Sequence, residues 1–142
     1  MANPIALQGF DHIVLRIQDK AAMLAFYCDV LGCTVDRDRP DLGLTHLRAG
    51  ADLIDLVTLD GPLGRLGGAG PQAEGRNLDH FCLRVRPFDE AAIRAHLAAH
   101  GVEIADEGPR YGADGDGLSL YIRDPEGNTV ELKGPSPPAS AA

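Results

Sequence analysis

The chain has 142 residues, with 13 basic and 21 acidic side chains and a formal net charge of −8. This negative balance, with no basic stripe, disfavours nucleic acid as a partner. No apolar run reaches the ~20 residues of a membrane-spanning helix, and the first residues lack the pattern of a signal peptide, so a cytoplasmic protein with no membrane partner is expected. Three cysteines without a Cys-x-x-Cys pair predict free thiols rather than a disulfide framework or a zinc knuckle.

An eight-residue stretch occurs twice in the chain. Phe-Asp-His-Ile-Val-Leu-Arg-Ile spans residues 10–17, and Leu-Asp-His-Phe-Cys-Leu-Arg-Val spans residues 78–85. Four of the eight positions are identical at an offset of 68, which indicates an internal duplication. Apolar residues alternate in both copies, as in a half-buried strand, and each copy presents one histidine, His12 or His80.

The elements that follow each copy also correspond. Asp19 is a predicted N-cap for an apolar helix that ends at Gly32, and Asp89 caps a second helix that ends at Gly101. Segments with strand character come next in each half. They are residues 34–36, 44–48 and 53–59 in the first half, and 102–105, 118–123 and 129–133 in the second. Each half therefore reads as β-α-β-β-β.

This pattern predicts an α+β fold made of two paired βαβββ modules. The first module covers residues 1–60 and the second covers residues 78–133. Residues 61–77 contain six glycines and are predicted to be a flexible linker. Two other segments complete the division: 106–117, a predicted mobile loop beside the site, and 134–142, a predicted disordered tail.

The run Asp124-Pro-Glu-Gly-Asn128 has the composition of a hairpin turn, since proline fixes φ and glycine supplies a positive φ. If Arg123 pairs with Thr129 across this turn, Tyr121 lies opposite Glu131 on the same face of the sheet. In the first half, His46 is a candidate neighbour of Asp55, in a register that the turn at residues 49–51 leaves open.

Two carboxylates stand in apolar strands, Asp55 in the first half and Glu131 in the second. A carboxylate in such a strand is costly unless it has a partner. Alternation places both on the face inferred for His12 and His80. Two imidazoles and two carboxylates form a mixed nitrogen and oxygen set that suits one divalent transition metal ion: Zn, Ni, Mn, Co or Fe.

These residues resemble the vicinal oxygen chelate superfamily, also called the glyoxalase/bleomycin resistance/dioxygenase family. The resemblance lies in the strands that carry the histidines, the helix end Phe26-Tyr27-x-Asp29-Val30-Leu31-Gly32, and the segment 121–131. It implies a curled mixed sheet around a central cleft, usually with one metal ion and often in a homodimer. The implied ligands are His12, His80 and Glu131, with Asp55 where many members have glutamate.

The resemblance also indicates which reactions of the superfamily this sequence fits best. An extradiol dioxygenase has a further histidine before the tyrosine that matches Tyr121, and residues 112–114 here are Gly, Ala and Asp. Fosfomycin-modifying members have threonine where Val14 stands and an arginine beyond the final glutamate, which is absent here. Four ligands with two carboxylates are most similar to glyoxalase I and related lyases or isomerases, in which a carboxylate moves a proton and a small oxygen-chelating substrate passes through an enediolate-type intermediate.

The expected catalytic residues are therefore Glu131, or Asp55 in its place, and Tyr121. The expected substrate-binding residues are polar or basic: Arg16, Arg84, Arg110 and Ser119. Two alternatives stay open at this point. One is an extradiol-type dioxygenase, and the other is a metal-free binding protein like the bleomycin-sequestering members.

Overall fold

The computed structural model describes residues 2–138. The chain forms two compact units, one ending at Gly70 and one beginning at Pro71, so the boundary falls inside the predicted linker. Among the described residues, no helix combines the length and the apolar content needed to cross a bilayer. Residues 139–142 of the predicted disordered tail lie outside the described residues.

The first unit contains a four-stranded mixed sheet, a helical segment after its first strand and a short 3-10 turn after its last strand. Its strands run in the order β1-β4-β3-β2, with β1 parallel to β4 and the other neighbours antiparallel. Their bounds are β1 His12–Ile17, β2 Thr34–Arg39, β3 Leu44–Ala49 and β4 Asp52–Thr58. The core of this unit includes Ile17, Leu47 and Leu56, each at most 1% exposed.

The second unit repeats this topology. Its strands run in the order β5-β8-β7-β6, with β5 parallel to β8. Their bounds are β5 Phe81–Arg84, β6 Asp106–Gly112, β7 Gly115–Arg123 and β8 Thr129–Lys133. Leu120, Ile122 and Val130 are completely buried in its core. The predicted βαβββ pattern is thus confirmed in both halves, each of which forms its own open sheet.

The helices begin where the sequence predicts. The carboxylate of Asp19 accepts a hydrogen bond from the Ala22 amide at 3.0 Å, and Asp89 does the same for Ala92 at 3.1 Å before α2 (Glu90–Ala99). The first helix differs in form: α1 (Lys20–Leu24) continues directly as a π-helical turn over Ala25–Val30. Apolar spacing sets which face is buried, but it does not distinguish an α-helical from a π-helical turn.

The prediction of a mobile loop at 106–117 is wrong. These residues form most of the hairpin between β6 and β7, with Arg110 paired to Gly117 and Gly112 paired to Gly115. The strand predicted at 102–105 is displaced into β6. The proline and glycines of β6 are not typical of a strand, so the sequence did not predict one there. Because β6 is an edge strand, Pro109 can lie in it without leaving a sheet hydrogen bond unmade on the open side.

The hairpin between β7 and β8 has the predicted register. Arg123 pairs with Thr129, and Tyr121 pairs with Glu131. The turn is held by Asp124, which is 4% exposed and accepts hydrogen bonds from the amides of Glu126 and Asn128, both at 2.9 Å. This local network fixes the point at which β8 begins.

Parts of the predicted linker and of the predicted tail form hydrogen bonds with the rest of the chain. Gly64–Gly67 forms a 3-10 turn, and the side chain of Arg16 donates hydrogen bonds to the carbonyl of Gly64 at 2.8 and 3.2 Å. Beyond β8, the amide of Gly134 donates to the Leu118 carbonyl at 2.9 Å, and Ser136 Oγ donates to the Asp114 carbonyl at 2.6 Å.

Substituting Gly64 by alanine is expected to lower the free energy of unfolding by about 2 to 3 kcal/mol. A Cβ at this position would lie 1.8 Å from the carbonyl oxygen of Thr58 and 2.8 Å from Cα of Leu59, so the backbone must move. Urea denaturation measures the effect. The control is Gly70→Ala, whose Cβ would meet only the movable end of the Leu59 side chain at 2.6 Å. Equal stability of the two variants would contradict this packing.

Candidate metal-binding site

The second unit contains one of the two predicted histidine–carboxylate pairs. Parallel pairing of β5 with β8 aligns Phe81 with Val130 and Cys82 with Glu131, and His80 immediately precedes β5. His80 Nε2 lies 3.1 Å from Glu131 Oε1. Glu131 is 5% exposed, although its charge is expected to favour solvent.

Three hydrogen-bond donors hold the Glu131 carboxylate. Ser119 Oγ donates to Oε2 at 2.6 Å, and the Tyr121 hydroxyl and the Cys82 thiol add two further contacts. Burial by itself would raise the pKa of Glu131, but these hydrogen bonds and the charge of His80 outweigh it and lower the pKa. The carboxylate is therefore ionised at neutral pH.

Tyr121 and Cys82 stay protonated beside this carboxylate. Burial raises the pKa of Tyr121, and the hydrogen bond to Glu131 and the negative charge raise it further. Local desolvation of the sulfur, followed by the charge of Glu131, raises the pKa of Cys82 to about 12. Cys82 is thus a hydrogen-bond donor here and not a thiolate nucleophile.

The first unit contains the matching pair with a longer separation. His12 Nε2 lies 3.9 Å from Asp55 Oδ2, and Asp55 is 3% exposed. The open register of the first hairpin is settled, because His46 pairs directly with Asp55. His46 Nδ1 lies 2.8 Å from Asp55 Oδ1, so one carboxylate oxygen is held by His46 and the other faces His12.

An aspartate immediately precedes each of the two histidines that are candidate metal ligands. His12 Nδ1 lies 2.6 Å from Asp11 Oδ1, and His80 Nδ1 lies 2.7 Å from Asp79 Oδ2. An ionised carboxylate only accepts hydrogen bonds, so Nδ1 is the donor in both contacts. The hydrogen bond from His12 to Asp11 is also the main reason that the pKa of His12 is raised.

Asp11 and Asp79 were not among the predicted site residues. The signal was present in the sequence, since the two aspartates are identical positions of the repeat. A carboxylate that accepts from Nδ1 fixes the tautomer of a metal-binding imidazole and its orientation. The sequence analysis gave His46 only as a candidate neighbour of Asp55, and it treated Cys82 only as one of three free thiols.

The donor set of the second unit fits a divalent transition metal. With Nδ1 bound to Asp79, His80 directs Nε2 at an ionised oxygen of Glu131, and either a proton on Nε2 or a metal ion bound to both atoms satisfies this contact. Ligand atoms at about 2.1 Å from one metal ion, with an angle of roughly 90° to 110° between them, lie about 3.0 to 3.4 Å apart. The separation of 3.1 Å lies in this range. Within either unit, over residues 2–138, no three His, Cys, Asp or Glu side chains gather at metal-binding distances.

The predicted substrate-binding residues have different partners. Arg16 donates to the carbonyls of Gly64, Gly68 and Ala69, and so holds the linker. Ser119 is a partner of Glu131.

The two other arginines lie in the second unit. The guanidinium of Arg110 lies 5.4 Å from the ring centroid of Tyr121 and donates to Asp106. Arg84 donates to Asp114 at 2.6 Å. Arg110 thus contacts Tyr121, one of the side chains that bind the Glu131 carboxylate.

Two βαβββ units, each with a histidine–carboxylate pair on its sheet, are the arrangement of the vicinal oxygen chelate class. The family model described as Glyoxalase/Bleomycin resistance protein/Dioxygenase superfamily matches residues 9–132. The chain belongs to this superfamily, as the sequence motifs predicted.

Known relatives extend over nearly the whole chain. The glyoxalase domain-containing protein RDO1 of Mycosarcoma maydis is 31% identical over 140 residues, which cover 90% of this chain and 69% of the relative. The crystal structure of the virulence protein STM3117 from Salmonella typhimurium has a TM-score of 0.74 at 24% identity and covers 93% of this chain and 100% of that one. The lactoylglutathione lyase from Agrobacterium tumefaciens has a TM-score of 0.64 at 23% identity, with 93% and 96% covered. At these identities the two structures show the shared fold.

Proposed function

We propose that this protein is a metal-dependent lyase or isomerase of the glyoxalase type, acting on a small substrate with adjacent oxygen atoms. The observation that carries the proposal is the repeated pair. In each unit an imidazole whose Nδ1 is held by the preceding aspartate directs Nε2 toward a buried carboxylate. A structural histidine needs no such arrangement, and its occurrence in both copies is hard to attribute to chance.

In this proposal His12, His80 and Glu131 bind one divalent ion, and Asp55 completes the set directly or through a water molecule. The metal, when bound, acts as a Lewis acid that stabilises negative charge on the substrate oxygens. The ligands come from two modules, of one chain or of two chains in a homodimer. The homodimer and the cytoplasmic location remain predictions.

The two carboxylates are assigned different tasks. Glu131 is ionised, has a lowered pKa and accepts hydrogen bonds from Ser119, Tyr121 and Cys82, which makes it a weak base and a firmly oriented ligand. Asp55 is held by His46 through one oxygen, and its other oxygen is directed toward His12 at 3.9 Å. We therefore assign the proton transfer to Asp55, and to Tyr121 the donation of a hydrogen bond to the substrate.

Elemental analysis of the purified protein tests the proposal. We expect about one divalent transition metal ion per chain in the wild type and a loss of at least tenfold in metal affinity in His80→Ala, because one of the nitrogen ligands is gone. The matched control is His96→Ala, which removes an exposed histidine on α2. Wild-type metal content in the His80→Ala variant would contradict the site.

Metal loading followed by an oxygen-uptake assay separates the alternatives. If the wild type takes up no divalent metal under any loading condition, the protein is a metal-free binding module. If it binds iron and consumes oxygen in the presence of catechols, it is a dioxygenase and the lyase assignment fails.

A further inference from the structure

We propose that the sheet of the second unit carries a carboxylate-binding subsite formed by Arg84 and Arg86. This subsite receives the carboxylate of a metal-chelating substrate, and in this structure the side chain of Asp114 occupies it. This inference rests on the proposed function, since it names the class of substrate for the same site. It adds that the substrate has two parts: adjacent oxygen atoms for the metal and a carboxylate some distance away.

The subsite lies on the same face of the sheet as the metal ligands. Alternation along β5 places Arg84 on the face of Cys82 and His80, and alternation along β8 places Lys133 on the face of Glu131. Arg84 and Lys133 are directly paired in the sheet, as are Cys82 and Glu131. Two positions along a strand span about 7 Å, so the backbone positions of Arg84 and Lys133 are about 7 Å from those of Cys82 and Glu131. A single small molecule can therefore reach both the proposed metal ligands and the basic group.

Three cations surround the Asp114 carboxylate. Arg84 Nε donates to Asp114 Oδ2 at 2.6 Å, and Arg86 Nη2 lies 3.5 Å from the same oxygen. The charge of Lys133 also acts on it, and together these groups lower the pKa of Asp114, with the Arg84 hydrogen bond as the main cause. The structure thus shows directly that this cluster accepts a carboxylate.

The third cation is part of the fold and not a free surface lysine. Lys133 is 6% exposed, and its ammonium group donates to the carbonyls of Arg110 at 2.5 Å and Gly117 at 3.3 Å. Its side chain passes under the β6–β7 hairpin at Gly112, where a Cβ would lie 2.7 Å from Lys133 Cε. A buried ammonium placed this way gives the subsite a fixed positive potential.

The first unit has no equivalent of this cluster. Aligning His12 with His80 and Asp55 with Glu131 places Val14 at the position of Cys82 and Val57 at the position of Lys133. Arg16, the counterpart of Arg84, is bound to the linker carbonyls. The basic group therefore belongs to one copy of the duplication. If the fold required it, both copies would have it.

Asp114 is placed so that a ligand can replace it. It lies in the tight turn between β6 and β7, and its side chain is 49% exposed. Ser136 holds the backbone carbonyl of Asp114, so the carboxylate can rotate away while the turn stays in position. Exposed ion pairs contribute little stability, so an incoming carboxylate on a chelating substrate can compete with Asp114.

Calorimetric titration of the zinc-loaded protein with catechol and with 3,4-dihydroxybenzoate tests the subsite. Both compounds offer the same adjacent oxygens, and only the second carries a carboxylate. We expect the carboxylate to improve affinity about tenfold in the wild type. Arg84→Ala should remove this preference, and Asp114→Asn should increase it several-fold because the internal competitor loses its charge. Arg94→Ala is the control, since Arg94 is on α2 and pairs with Glu107 on the opposite face of β6.

Equal affinity for the two compounds in the wild type, or a preference that persists in Arg84→Ala, would overturn the subsite and leave the metal site unaffected. If the protein binds no zinc, the proposed function fails. The subsite is then tested by itself, by comparing the affinities of the metal-free protein for benzoate and for benzyl alcohol. Benzoate binding that requires Arg84 supports the subsite. Absence of any preference for benzoate refutes it.

Discussion

Replacing Glu131 by glutamine is expected to lower the affinity for a divalent metal ion by about 100-fold or more, because even the outer-shell partners of metal ligands are typically worth 10- to 100-fold. Glutamine has nearly the same shape, but it lacks the negative charge. Its amide must also place an NH2 group against either His80 Nε2 or the Ser119 hydroxyl, both of which now face an oxygen of the carboxylate. Competition with a chromophoric chelator for zinc measures the loss.

Two further variants make this result specific. Ser119→Ala keeps the carboxylate and removes one of its donors, so we expect a smaller loss of about tenfold. Glu103→Gln removes an exposed carboxylate from the segment after α2 and should leave zinc affinity unchanged. Circular dichroism should show the same fold in all three. Wild-type zinc affinity in Glu131→Gln would remove this residue from the proposed ligand set.

The largest effect on stability is expected at the turn that precedes Glu131. Asp124→Ala should lower the free energy of unfolding by about 3 kcal/mol, because each buried donor left without a partner costs about 1 to 3 kcal/mol. The donors in question are the amides of Glu126 and Asn128 and the Asn128 side chain, which bind the Asp124 carboxylate at 2.8 to 2.9 Å. Urea denaturation measures this change.

The variant Asp124→Asn retains an acceptor oxygen and should lose roughly half as much stability, since one of the donors must still give up its partner. Asp116→Ala, at the exposed start of β7, is the matched control and should stay within about 0.5 kcal/mol of the wild type. Because Asp124 fixes the start of β8, the alanine variant should also weaken zinc binding through Glu131. An Asp124→Ala protein as stable as the control would show that the turn does not depend on this carboxylate.

Local chemistry explains why much of the fold could be predicted. The caps at Asp19 and Asp89 and the turn from Asp124 to Asn128 depend on neighbouring residues in the chain, and so does the register that pairs Tyr121 with Glu131. The same holds for the alternation that places a histidine at each duplicated strand. Where local signals pointed the other way, as with the proline and glycines of β6, pairing with β7 decided the structure.

By itself the sequence determined the duplication, the two βαβββ units and the residue types of the site. Only the tertiary structure decided which partner each polar side chain takes. Arg16 and Arg84 occupy identical positions of the repeat, yet one holds the linker carbonyls and the other holds Asp114. The physical reason is that a guanidinium binds whatever acceptor the fold brings within about 3 Å of it, and the segments that supply those acceptors lie 48 and 30 residues away in the chain.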